Sequence, residues 1–315
     1  MNMKKIVGKM WRWYLRTVPK VVFGSDVCMY VCMYVCRHRK RAMHISEGLF
    51  VYPFFNAYFV QNMLSSAMYS IARGYNPYIV LGGREEGYTN WDTFFRQPFD
   101  STAEQVTKEC DRTTGHYNFS FTMAWRPREL RRWTRAYQAL VHLNDETQQY
   151  VDSDYSAIIS EEDHVLGVLC RGTDYTAIRP KGHPRQPSVE QVIEEVRKQM
   201  QTGWYNKIYL ATEDQRIAQQ FEEAFPQQIV TNRRQYFDEA FEAMYSKNNR
   251  LDITDVNLHR DDANYWRGVQ YLSSMMILSR CEALVAGNCG GTILALMMND
   301  NRYCYTHVFN LGLYD

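Results

Sequence analysis

The sequence predicts an α/β protein whose C-terminal half holds a parallel, doubly wound sheet. Two observations carry this expectation: buried-strand runs alternate with amphipathic helical runs from residue 165 onward, and polar or glycine-rich clusters follow three of those strands. At 315 residues the chain exceeds what one average domain needs, and 45% apolar against 23% charged residues excludes a disordered chain.

The first strand of the C-terminal half is Val165 to Leu169, which runs directly into Cys170 and Arg171. The next helix announces its own start. Ser188 and Gln191 form a capping box, and Val189, Val192, Ile193, Val196 and Met200 supply one apolar face. Lys207 to Ala211 is then a strand, Gln215 to Phe225 a helix, Gln228 to Thr231 a short strand and Asn264 to Arg280 a long helix. A last strand, Ala283 to Ala286, breaks at Gly287, Asn288, Cys289, Gly290 and Gly291 before a helix from Thr292 to Met298.

The N-terminal half shows the pattern once. Leu49 to Val51 reads as a strand, Phe59 to Ala72 as a helix and Tyr78 to Leu81 as a second strand. Residues 89 to 147 are aromatic and basic, without clear strands, and the polar, acidic stretch 145 to 163 marks a domain boundary. The expected division is a basic arm over 1–43, an N-terminal domain over 44–155 and a C-terminal domain over 156–315.

Residues 1 to 41 carry ten Lys or Arg against the single acid Asp26. Interleaved with Trp11, Trp13, Tyr14 and Leu15, these cations suit a solvated arm, a helix covering the domain edge, or a peripheral contact with an anionic membrane surface. The apolar run Val27 to Cys36 is too short to span a bilayer and lacks a cleavage site. Eight irregularly spaced cysteines do not form a disulfide framework, and Cys28, Cys32 and Cys36 read as one face of a short helix rather than a metal site. A reducing, cytoplasmic setting fits, and a net charge of +1 gives no signal for nucleic acid.

In a doubly wound sheet, ligands sit outside the carboxyl ends of the strands. That rule brings Arg171 to Tyr175, Thr212 to Asp214 and Gly287 to Thr292 to one edge. A guanidinium at a strand tip can donate two parallel hydrogen bonds to phosphate oxygens, and Gly172 lets a ligand approach the backbone. The glycine-rich turn before Thr292 is a second anion cradle, because helix N-termini present backbone donors and a positive dipole end. Glu213 and Asp214 can accept from a ribose or a base edge. Each cluster also has an ordinary reading: Arg171 with Asp174 as a structural pair, Thr212 with Asp214 as a helix cap, the glycines as a tight turn.

These residues carry a family resemblance. Val168 to Tyr175, reading Val-Leu-Cys-Arg-Gly-Thr-Asp-Tyr, resembles the first motif of the fucosyltransferase superfamily, and Ile208 to Gln215 is similar to its second. Arg267, Gly268, Leu278, Ser279, Cys281, Leu284 and Val285 resemble the third, while Gly48 to Ile71 and the Asn90, Trp91, Phe94, Phe95, Pro98 set resemble N-terminal segments of these enzymes. The sequence departs from the pattern at Leu169, Gly172, Ser274 and the Cys289-Gly290-Gly291 turn. The resemblance points to the α1,6- and peptide-O-fucosyltransferase branch or bacterial relatives.

What it implies is two Rossmann-like domains of the GT-B type and an inverting, metal-independent glycosyltransferase. The chain would move fucose from GDP-fucose to a glycan hydroxyl, as in surface polysaccharide synthesis, with no cofactor and no metal. Arg171 and Asp174 match the catalytic positions. Gly172, Thr173, Tyr175, Thr212, Glu213, Asp214, Asn288, Cys289, Gly290, Gly291 and Thr292 fall in the donor-binding segments. Asn56, Lys181 and His183 belong to loops expected to meet donor or acceptor, with Asp174 and His183 as candidate bases. The basic loop Lys181 to Pro187 is expected to close over the donor. The rival readings are a metal-dependent GT-A-type transferase using Asp152, Ser153, Asp154 as an Asp-x-Asp motif, and a non-catalytic nucleotide-sugar-binding protein.

Overall fold

The computed structural model describes residues 41–46, 56–80, 90–110, 120–172, 179, 181–236, 262–300 and 302–315. Two parallel sheets organise them. In the C-terminal half β4 (Val165–Leu169), β5 (Lys207–Ala211), β6 (Ile229–Val230), β7 (Ala283–Gly287) and β8 (Tyr305–Phe309) pair in the order β6-β5-β4-β7-β8. In the N-terminal half β1 (Ala42–Ser46) lies between β2 (Asn76–Val80) and β3 (Val106–Glu109). The mixed α/β class and the parallel sheets agree with the sequence.

The strand order has a mechanical cause. From β4 the chain steps outward through α5 (Val189–Met200), β5, α6 (Gln215–Ala224) and β6. It then returns through α7 (Ala263–Arg280) to the other flank of β4 as β7, followed by α8 (Gly290–Asn299) and β8. Right-handed crossovers put α5 and α6 on one face and α7 and α8 on the other. Consistent with this, one apolar cluster packs Val192, Val196, Ile217 and Phe221 against Leu166, Val168, Leu210 and Val285. The other packs Leu272, Ile277, Leu278, Ile293 and Leu294 against Leu169, Tyr209 and Leu284. Every residue of β4 and β7 is buried, as strands covered on both faces require.

The second cluster does not stop at the C-terminal half. It continues through α3 (Pro127–Leu140) and α1 (Ala57–Ala72) to Ile45 and Ile79 of the first sheet, so one apolar core joins both halves. Trp91 and Phe94 of the short helix α2 (Trp91–Phe94) are buried in it.

Several elements differ from the sequence reading. Strand β1 lies at the edge of the segment assigned to the basic arm, where flanking arginines mask five strand residues; the strand expected at 49–51 lies outside the described residues. Strand β2 starts at Asn76 and includes Pro77, which an edge strand tolerates because its N–H side need not pair. The polar boundary segment is a helix, α4 (Asp145–Ser156), whose N-cap Asn144 accepts a hydrogen bond from Thr147 N at 2.9 Å. Strand β8 completes the sheet from a segment with no alternating pattern. The basic arm over 1–40 lies outside the described residues, and no described helix is long and apolar enough to cross a membrane.

Candidate active site

In the order β6-β5-β4-β7-β8, chain direction across the sheet reverses between β4 and β7, so the topological crevice opens above their carboxyl ends. Leu169 pairs with Ala286, which puts Cys170 and Arg171 beside Gly287 and Asn288. Two of the three expected clusters therefore flank one crevice, and Thr212 to Asp214 follows on the adjoining strand.

Arg171 leaves the tip of β4 and is held by Glu213, with Nε 3.1 Å from Oε1 and both side chains largely buried, 18% and 14% exposed. The pair orients the guanidinium; its partner is Glu213, from the second cluster. Gly172 packs tightly, since a Cβ there would lie 2.6 Å from Asp214 Oδ2 and 2.8 Å from Ile217 Cδ1. The glycine thus brings the β4 loop against the start of α6. Asp214 caps that helix by accepting from Arg216 N at 2.9 Å, while Thr212 Oγ1 accepts from Asp214 N at 3.3 Å. Thr212 and Asp214 accordingly hold the loop geometry. Thr173, Asp174 and Tyr175 lie outside the described residues.

The second cradle is assembled from both halves. Helix α8 begins at Gly290, and Cys289 offers no side-chain cap to its first turn. Thr292 Oγ1 donates back to Gly287 O, and Cys289, Thr292 and Gly291 are buried. A Cβ on Gly291 would come within 3.0 Å of Tyr271 OH. A Cβ on Gly290 would meet Ala57 Cβ at 3.3 Å, so the first turns of α8 and α1 abut. Asn56 caps α1 by accepting from Phe59 N at 2.9 Å. Two helix N-termini, each the positive end of a peptide dipole, thus meet at the crevice.

Three side chains meet this turn: Asn288 stands among the expected donor-binding residues, Gln186 stands in the sequence only within the basic loop, and Gln61 has no signal there. Gln61 of α1 donates to Gly290 O at 3.1 Å, and Gln186 donates to Asn288 O at 2.7 Å. Asn288 donates to Phe121 O at 3.2 Å. In each, the amide oxygen is left over: Gln61 Oε1, Gln186 Oε1 and Asn288 Oδ1 are buried and accept no hydrogen bond among the described residues. A buried acceptor without a donor costs about 1–3 kcal/mol, so three around one turn offer places for a water or ligand donor. Nothing local signals this, because the partners are 229 and 102 residues apart in sequence.

The Lys181 to Pro187 loop is tied down at its outer side. Gly182 N donates to Tyr314 O and Tyr314 N to His183 O, both at 2.9 Å, and Arg185 N donates to Gly312 O at 2.9 Å. Lys181 is exposed, whereas the His183 ring lies 5.6 Å from that of Phe121. Burial pushes the Cys170 thiol, next to Arg171, up to about 12, so it stays protonated.

The Asp152-Ser153-Asp154 triplet sits on α4, not at a strand end. Asp152 accepts from Arg280 Nη2 at 2.7 Å, while Asp154 accepts from Arg233 Nε at 3.1 Å and Ser273 Oγ at 2.6 Å. Residues two apart on a helix do not face one another, and the two carboxylates point to different partners.

Fold and topology define an α/β protein with a parallel sheet whose switch point lies between β4 and β7. Among solved structures it is similar to the α1,6-fucosyltransferase NodZ co-crystallised with GDP, at 16% identity over 61% of this chain and 50% of that one, with a TM-score of 0.36. The same enzyme soaked with GDP-fucose gives 15% identity over 82% of this chain and 92% of that one, TM-score 0.48. The apo form of POFUT1 gives 13% over 68% and 56%, TM-score 0.39. The chain spans about half the length of the GDP-bound NodZ and apo POFUT1 chains it matches. No protein-family profile and no curated protein matches the sequence.

Proposed function

We propose that this chain is a fucosyltransferase-like glycosyltransferase that binds GDP-fucose above β4 and β7 and passes fucose to a glycan hydroxyl. The observation that carries the reading is the convergence at one crevice of an oriented guanidinium, two abutting helix N-termini and three buried acceptors without donors. The first two features suit the diphosphate, and the acceptors suit the hydroxyls and N–H groups of a sugar nucleotide.

The chemistry follows from that placement. The acceptor oxygen attacks the anomeric carbon from the face opposite the diphosphate, and the bond from that carbon to the β-phosphate oxygen breaks with its electron pair leaving on the phosphate. Arg171 stabilises the growing negative charge, and the dipoles of α1 and α8 add to it without reorganising. Inversion results from a single displacement. Asp174 and His183 remain the candidates to take the acceptor proton. Thr173, Tyr175, Thr212, Glu213, Asp214 and residues 288–292 shape the donor pocket in this proposal, and Asn56 and Lys181 flank it. The proposal includes an acceptor-side unit over 44–155 and a donor-side unit over 156–315 in the GT-B manner, no metal requirement, a cytoplasmic place in polysaccharide synthesis and a peripheral membrane contact through residues 1–41.

The test is turnover of GDP-fucose against a glycan pool. Arg171→Ala is expected to lower the transfer rate at least ~100-fold with the circular dichroism spectrum unchanged. A rate near wild type overturns the role given to Arg171, and donor binding without any turnover in the wild-type protein makes the chain a binding protein instead.

A further inference from the structure

The amino edge of the five-stranded sheet, opposite the crevice, carries a group the reaction does not use. Trp204 is 56% exposed, the most exposed large apolar side chain among the described residues. Its indole Nε1 donates to Glu282 Oε2 at 2.6 Å. His164 Nδ1 lies 2.7 Å from the other oxygen, Glu282 Oε1, and the His164 and Trp204 rings approach to 4.5 Å.

The sheet itself fixes His164 and Glu282, and the bond to Glu282 holds Trp204 beside them. His164 precedes β4, Trp204 precedes β5 and Glu282 precedes β7. Glu282 N donates to Val165 O at 3.0 Å, Cys304 N to Glu282 O at 2.8 Å and Asn206 N to His164 O at 3.0 Å. Asn206 Oδ1 also accepts from His164 N at 2.9 Å.

Fixing a tryptophan in place costs side-chain entropy, and here little burial offsets it. A rigid, exposed aromatic ring beside hydrogen-bonding groups is a preorganised binding face. We propose that Trp204, Glu282 and His164 form a second saccharide-binding platform, distinct from the donor crevice. The C–H face of a pyranose stacks on the indole, and its hydroxyls donate to the remaining lone pairs of Glu282. A sugar fits the arrangement: the indole offers a flat apolar face, and both carboxylate oxygens, oriented by the bonds they already accept, keep lone pairs for hydroxyls. Strands of five residues separate the platform from Arg171 by roughly 15 Å of sheet, so a glycan held here is a chain tethered to the protein rather than the sugar under attack.

The inference does not depend on the donor reading, and the experiment separates the two. Cellotetraose and β1,4-galactotetraose are titrated into the full-length protein while the tryptophan indole N–H signals are followed by NMR, with GDP titrated into the same samples. The expected result is that at least one tetrasaccharide moves the Trp204 signal, that Trp204→Ala abolishes this binding, and that Trp204→Phe retains it within roughly tenfold. Glu282→Gln is expected to weaken it, and GDP affinity is expected to stay unchanged in all three variants. The proposal is overturned if neither tetrasaccharide shifts that signal, if binding survives Trp204→Ala, or if choline displaces the sugar and thereby shows a cation site. Failure of GDP to bind with the platform intact would strike the donor reading alone.

Discussion

The two edges of the five-stranded sheet are built from the same strands and differ in how their polar groups are met. At the amino edge charges pair between neighbouring strands: Lys207 Nζ lies 2.7 Å from Asp163 Oδ2, which also takes a bond from Ser160 Oγ at 2.7 Å. At the carboxyl edge Arg171 pairs with Glu213 in the same way, but three buried amide oxygens are left without donors among the described residues. Acceptors left open at the carboxyl edge are available to a donor that arrives later. What separates the two edges is thus the clustering of unmet acceptors around one turn rather than the presence of charge.

The contrast can be broken most forcefully at Arg171, where the ~100-fold loss in transfer expected of Arg171→Ala has no counterpart for any amino-edge charge. Next is Gly172→Ala, whose Cβ would press on Asp214 and Ile217. It is expected to cost about 1–3 kcal/mol in urea unfolding and to lower donor affinity, because the β4 loop and the α6 start must separate. Third, Gln61→Met removes a buried oxygen without a donor together with the bond to Gly290 O. Donor affinity by calorimetry is expected to fall roughly tenfold while stability changes by less than about 1 kcal/mol.

At the amino edge the expected effect is smaller and depends on acid. Hydrogen bonding by Lys207 first, then by Ser160, lowers Asp163 to about 2. A depressed carboxylate contributes stability that is fully present above its ordinary value near 4 and is lost as pH falls towards 2. Asp163→Asn is therefore expected to cost about 0.5–1 kcal/mol at neutral pH. Thermal melts of the two proteins should converge as the pH falls through that window, and GDP binding at neutral pH should not change. The smallest effect is no effect at all: Cys170, buried and protonated, is expected to resist iodoacetamide at pH 8 under conditions that label the exposed Cys304, as mass spectrometry of peptides can check.

What could be read from the sequence was whatever is encoded locally. The Ser188–Gln191 capping box is present with both of its bonds, and the strand over 207–211 and the helix from 215 fall where their patterns placed them. The alternation of strand and helix also put Arg171, Glu213 and Asn288 on one edge. Asp214 illustrates the limit: the same residue reads as ribose acceptor or helix cap, and the cap bond to Arg216 N is what the fold makes of it. Gln61 carried no signal and Gln186 only its place in the basic loop, because an amide becomes part of a site only when a distant turn is folded against it. Helix α4 was hidden by polarity, since its buried positions Thr147, Val151 and Asp154 include two polar residues that no apolar periodicity would reveal.

The abutment of α1 on α8 at Ala57 and Gly290 has a mechanical consequence. Each helix belongs to a different half of the chain, and an anion seated between their first turns would act as a clasp on both. Deuterium uptake at the opening amides of α1 and α8 should then slow in concert when GDP is added, even though the two stretches lie more than two hundred residues apart along the polypeptide.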